Sequence, residues 1–285
     1  MPDVWDHQFA EVNGVRLHYV RQGSGAPVLL VHGWPGFWFE WNKNIPALAE
    51  RFDVIAPDMR GFAYSDKPDL PPEEGYTDVE MANDLAALVR ELGLERVSLV
   101  AHDFGAVWAQ RFAREHAGLV DKLVLFNPPY AGIGGRWFEM PQPLESWYML
   151  FHQQPWAEDI VGATRATIET YLRHFLRHWS HDTDVFTDEE VAEYVEAYSQ
   201  PGAVRGGFNC YRATFRTAGQ ANNAPIAAPT LVLWGDSDPI LPFEWSDNLG
   251  QFFPNHTLKK IEGAGHFLHR EAPERVNREI IEFLS

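Results

Sequence analysis

Apolar runs and helical spacing alternate along the chain as far as Phe126. Phe9 to Val12 and Val15 to Val20 flank Asn13-Gly14, which predicts a hairpin. Pro27 to Val31 is apolar throughout, as expected of a strand buried on both faces. Asp53 to Pro57 predicts another strand. Thr77-Asp78-Val79-Glu80 has the form of a capping box. It opens a helix with Met81, Leu85, Leu88, Val89 and Leu92 on one face and Gly93 at its end. Val97 to Ala101 reads as a strand, then a sharp turn, then a helix with Val107, Trp108, Phe112 and Ala113 at helical spacing. Leu123 to Phe126 is the next strand. Such alternation implies a mostly parallel sheet covered on both faces.

The pattern breaks at Asn127-Pro128-Pro129. From Tyr130 to about Gly219 no buried-strand run occurs. The stretch is rich in aromatic residues and histidine, with helical pieces near Ile168 to Trp179 and Asp188 to Tyr198. Pro229 to Trp234 and Leu258 to Ile261 then predict two further strands. The simplest organisation is an α/β core over 1–129 and 220–285, with a helical cap inserted over 130–219. A cap of this kind excludes water and suits a small apolar substrate.

Composition narrows the function. A chain of 285 residues, 45% of them hydrophobic, can bury a substantial core. A formal charge of -17 argues against nucleic acid and anionic membrane as partners. One cysteine, Cys210, forms no internal disulfide and fits a reducing compartment. It is expected to pack as a small apolar residue. Met1 to Gly14 lacks a basic start followed by an apolar run, and no apolar stretch is long enough to span a bilayer. A cytoplasmic location is therefore expected.

The candidate chemistry centres on Leu99-Val100-Ala101-His102-Asp103-Phe104-Gly105-Ala106. Strand, polar pair, glycine and helix have the form of the nucleophile elbow of α/β-hydrolases. Ala101 and Gly105 fill its two small positions, and Asp103 stands where an esterase has serine. The alternative is an ordinary turn in which Asp103 caps the helix. A carboxylate nucleophile is ionised at neutral pH and attacks an activated sp3 carbon, leaving an alkyl ester. A second step must hydrolyse that ester, with a base for water and donors for the oxyanion.

The sequence offers those parts. His32-Gly33-Trp34-Pro35-Gly36 follows the strand ending at Val31, and the N–H groups of Trp34 and Phe104 are the expected oxyanion donors. His32 is expected to brace this loop by hydrogen bonds. Gly23-Ser24-Gly25 reads as a loop. Nucleophile, acid and histidine follow in that order on this fold. Asp236 and Asp238 lie in one turn after Trp234, and one of them serves only that turn. His266, in Gly263-Ala264-Gly265-His266-Phe267, is favoured as base over His269. His174 and His178 are one helical turn apart, with His181 nearby, but no third metal ligand is evident.

On these residues the chain resembles an α/β-hydrolase-fold epoxide hydrolase along essentially its whole length. The matching motifs are His32-Gly33-Trp34-Pro35, the elbow with Asp103, and Gly265-His266-Phe267. Two tyrosines match as well: Tyr148 in Ser146-Trp147-Tyr148 and Tyr211 in Phe208-Asn209-Cys210-Tyr211-Arg212. The resemblance implies that these tyrosines hold and protonate the epoxide oxygen, that no cofactor or metal takes part, and that His32, Pro35 and Phe267 border the substrate pocket. One position for the family's acid is Asn127, which is uncharged, so the family spacing points to Asp238. The alternative is a haloalkane or haloacid dehalogenase. Haloalkane dehalogenases typically cradle the halide with an indole N–H directly after the nucleophile, and fluoroacetate dehalogenases place an arginine there. Phe104 supplies neither, although Trp34, Trp38 and Trp147 carry indole donors. A hydrolase-fold binding protein without turnover is the third reading, and it predicts a broken triad.

Overall fold

The computed structural model describes residues 5–219 and 222–285. Eight strands form one sheet: β1 (His7–Val12), β2 (Val15–Gly23), β3 (Ala26–Val31), β4 (Phe52–Pro57), β5 (Val97–His102), β6 (Val120–Phe126), β7 (Thr230–Gly235) and β8 (His256–Ile261). Their order is β1-β2-β4-β3-β5-β6-β7-β8. The first two pairings, β1 with β2 and β2 with β4, are antiparallel, and every other pairing is parallel. Asn13 and Gly14 both have positive φ, 46° and 75°, which suits the tight hairpin between β1 and β2. All six residues of β4, β5 and β7 are buried, as strands covered on both faces must be.

Seven helices matter for the site: α1 (Asp78–Glu91), α2 (Phe104–Glu115), α3 (Trp147–Phe151), α4 (Arg165–His178), α5 (Asp188–Tyr198), α6 (Ala203–Arg216) and α7 (Pro273–Leu284). The capping box expected at the start of α1 is half formed. Thr77 Oγ1 accepts from Glu80 N at 3.2 Å, but the Glu80 carboxylate turns to Asn13 Nδ2 (3.3 Å) and Arg60 (3.7 Å) instead of returning to the cap. A buried guanidinium competes better for that carboxylate than one backbone N–H. Gly93, with φ 67°, follows the end of α1 as expected.

No strand occurs between Phe126 and Thr230 among the described residues, and helices fill the interval. The periodicity anticipated α4 and α5 but not α6. Its buried Val204, Phe208 and Tyr211 fall at helical spacing, but its small and polar residues Gly206, Gly207, Asn209 and Arg212 are buried too, which hides the apolar stripe. Gly206 meets the core directly: a Cβ there would run into the backbone of Gly61. The expected start of the second core segment, residue 220, lies outside the described residues. Among the described residues no helix is long and apolar enough to cross a membrane.

The parallel strands end along one edge of the sheet. The turns after β3, β5, β6, β7 and β8 therefore come together at their carboxyl ends, where ligands bind in sheets of this kind.

Candidate active site

Asp103 is the single residue between β5 and α2. Its φ of 51° and ψ of -122° lie where residues other than glycine seldom go. The tightness of the turn explains its neighbours. A Cβ on Gly105 would lie 2.6 Å from the His32 carbonyl oxygen, and one on Gly33 would lie 2.5 Å from Asp103 Oδ1. The reading of Asp103 as a plain helix cap is not met, since its side chain makes no capping bond to α2. Instead Oδ1 accepts a hydrogen bond from Trp34 N at 2.9 Å. The position at the N-terminus of a 12-residue helix also favours a carboxylate.

His266 faces the other carboxylate oxygen, with Nε2 3.7 Å from Asp103 Oδ2. That is too long for a hydrogen bond. Its Nδ1 lies 2.8 Å from Asp238 Oδ2. Asp238 is itself held: Oδ1 accepts from Ile240 N (2.9 Å) and Leu241 N (3.0 Å). Asn127 Nδ2 donates to Asp238 Oδ2 at 2.6 Å, and Asn127 Oδ1 accepts from Gly235 N at 2.9 Å. Asn127, whose lack of charge argued against it as the acid, thus orients Asp238. The available signal was a polar residue at the end of an apolar strand. Asp236 is exposed, and its Oδ1 accepts from Gly263 N and Ser237 Oγ, so it serves the turn. His269 is buried between Trp41 and Phe126, and neither of its ring nitrogens has a hydrogen-bond partner among the described residues.

His266 is fully buried, and burial opposes its charge. Asp238, through charge and hydrogen bond, and then Asp103 outweigh that, so the imidazole pKa is raised above its ordinary value.

Tyr148 on α3 and Tyr211 on α6 meet above the elbow, with ring centroids 5.5 Å apart at 88°. Tyr148 stacks on Trp34 at 5.6 Å and 10°, and the Tyr211 ring stands edge-on to Phe104 at 4.7 Å. Burial pushes both phenols well above their ordinary pKa. The Asp103 charge adds to it for each, and Tyr148 adds to it for Tyr211. Both therefore stay protonated at neutral pH and are able to donate.

The remaining candidates divide. His32 braces its loop: Nδ1 pairs with Gly33 O at 2.8 Å and Nε2 accepts from Met59 N at 3.0 Å. Both ring nitrogens are thereby committed, which withdraws them from a substrate-contacting role. Phe267 is buried among His102, Trp179, Phe186 and His266, and Pro35 is buried beside Trp34 in the braced loop. His174 and His178 stack on each other at 5.3 Å, with His178 Nε2 2.6 Å from Glu145. Cys210 is buried, and burial raises its thiol pKa. Trp147 on α3 is 42% exposed, its ring against Phe151, His174 and Phe175. Among the described residues, the side chains that could hold a metal are Glu40, His102 and His269, which are buried with ligand atoms within 4.8 Å of one another. Sequence reading had not singled them out as a group.

Sheet order, the sharp turn at Asp103 and the Asp103–His266–Asp238 arrangement together are those of an α/β hydrolase. Residues 26–273 match the alpha/beta hydrolase fold family. The chain is 34% identical to the soluble epoxide hydrolase of Corynebacterium sp. strain C12, over 98% of this chain and 97% of that one. It is 32% identical to epoxide hydrolase 1 of Caenorhabditis elegans, over 99% of this chain and 70% of the relative. Among solved structures, the epoxide hydrolase CorEH superposes with a TM-score of 0.86 at 33% identity, covering 98% of each chain. An inhibitor complex of the Bacillus megaterium epoxide hydrolase gives 0.85 at 26% identity, covering 97% of this chain and 99% of that one. The chain is a hydrolytic enzyme and belongs to the α/β-hydrolase-fold epoxide hydrolase family.

Proposed function

We propose that the enzyme opens a small apolar epoxide to a vicinal diol through an ester on Asp103. One observation carries the reading: a carboxylate at the elbow lies between two buried, protonated tyrosines and a histidine paired with Asp238. An Asp103 oxygen attacks one epoxide carbon, and the carbon–oxygen bond breaks. The leaving alkoxide stays tethered and is strongly basic, so it takes a proton from Tyr148 or Tyr211. His266 then removes a proton from water, and the hydroxide attacks the ester carbonyl of Asp103. The N–H groups of Trp34 and Phe104 receive the oxyanion. Collapse regenerates the carboxylate and frees the diol. The imidazolium proton restores the tyrosine. No cofactor or metal enters this sequence.

In this reading residues 130–219 form the cap. It brings both tyrosines over the nucleophile and keeps water from the ester until His266 activates it. Phe104 gives no side-chain donor for a halide, which weighs against dehalogenation. The test is incubation with a panel of epoxides and haloalkanes. Diol release from an epoxide is expected. Halide release with inert epoxides overturns the proposal in favour of a dehalogenase. No turnover of either class points to a binding protein.

A further inference from the structure

Residues 179–182, the first part of the segment between α4 and α5, touch both loops that hold His266 and Asp238. Trp179 O accepts from His266 N at 2.7 Å. His181 Nδ1 lies 3.0 Å from Ser237 Oγ, next to Asp238. Between this strap and the histidine loop sits Glu271. Its Oε1 accepts from Gly265 N at 2.9 Å, and its Oε2 accepts from His181 N at 2.7 Å and Asp182 N at 3.1 Å. The approach is close: a Cβ on Gly265 would lie 2.7 Å from His181 N and overlap the Trp179 carbonyl.

We propose that Glu271 is a positioning residue for His266, a carboxylate bridge that locks the histidine loop to the strap and so sets how Nε2 faces Asp103. A carboxylate fits this task because it only accepts hydrogen bonds and has two oxygens for three N–H groups. An amide keeps one accepting oxygen and turns its NH₂ towards N–H groups, so it holds one side of the bridge only. The inference rests on His266 being the base of the second step. The first step uses Asp103 and the tyrosines, which Glu271 does not contact.

The test compares Glu271→Ala, Glu271→Gln and the parent in single turnovers of an epoxide, with the ester on Asp103 followed by intact-protein mass. Small displacements of a catalytic group cost up to about a hundredfold, so ester hydrolysis in Glu271→Ala is expected to slow roughly ten- to a hundredfold while alkylation stays within about twofold. Glu271→Gln is expected in between. Equal losses in both steps, or parental hydrolysis in a variant with a lower melting temperature, make the carboxylate merely structural and overturn the proposal. Amide hydrogen exchange at Gly265 and His266 gives a readout independent of substrate. It is expected to accelerate in both variants, and unchanged exchange overturns the bridge. Should Glu271→Ala fail to fold, Glu271→Gln carries both measurements. A parent that never forms the ester refutes the assigned reaction, and the exchange result still decides the bridge.

Discussion

Asp103 meets three demands at one position. It sits at a strained φ, it accepts a hydrogen bond from Trp34 N, and it faces His266 without bonding to it. If its oxygen enters the product, a single turnover in H₂¹⁸O yields mostly unlabelled diol, and label appears in the Asp103 carboxylate. A heavily labelled diol in that first turnover would show direct attack by water and remove Asp103 as nucleophile. In the proposed reaction the tyrosines carry the other half of the chemistry. Losing one donor to a developing oxyanion typically costs about 2.7–4 kcal/mol, or roughly 10²–10³ in rate. Each single Phe variant is expected to lose that much or less, since the partner covers in part. Tyr148→Phe with Tyr211→Phe leaves the alkoxide no acid, and epoxide opening is expected nearly to stop with the fold retained. Rapid-quench measurement of alkylation decides this. A double variant at the parental rate reduces both tyrosines to packing.

At the scale of elements, the site is a product of where strands stop. β6 ends at Phe126 and β7 at Gly235, so Asn127 and Asp238 become neighbours although 111 positions separate them in the chain. Asn127 adopts a positive φ of 38°, a conformation asparagine tolerates, and bonds to both the acid and the backbone of β7. The two acids of one turn divide on burial. Asp238 is buried and bonded to His266, whereas Asp236 is exposed and bonded to the turn. Asp238→Asn is expected to slow ester hydrolysis by about 10²–10⁴, through loss of imidazole orientation and charge. Asp236→Asn is expected to stay near the parental rate. Measuring the ester by mass spectrometry in each variant checks both, and the reverse result reassigns the acid.

Across the whole molecule, charge and burial act together on His266. In the free protein burial disfavours the imidazolium, but Asp238 and Asp103 overcome it, and the pKa lies above the ordinary value. In the proposed reaction esterification removes the Asp103 charge, so the His266 pKa is expected to fall just when a neutral base is needed. An NMR titration of His266 in the free protein is expected to give a pKa above about 6.5. The acid limb of ester hydrolysis is expected at a lower pH than that titration. Coincident values, or a free-protein pKa below the ordinary one, contradict the argument. The sign for stability follows from the same shift. The folded state binds this proton more tightly than the unfolded chain does. Its contribution is complete below the unfolded pKa and is lost as pH rises through the higher folded value.

What the linear chain determined is what local patterning encodes. Alternating apolar runs set the strands and the flanking helices, and a small-residue turn with an aspartate set the elbow. The motif residues, matched to a known family, also marked His266 and the two tyrosines. Periodicity failed at α6, where close packing against the core replaces the usual apolar stripe with small and polar residues. Residue types in the turn left Asp236 and Asp238 equivalent, and only the family spacing pointed to Asp238. Tertiary structure supplies the physical reason, because burial and strand ends put Asp238 against His266 and leave Asp236 to the turn. It alone decided that Asn127 holds Asp238 and that Glu271 joins the strap to the histidine loop. Each of these is a hydrogen bond to a group whose position depends on how distant segments pack, and no periodicity or short motif records it.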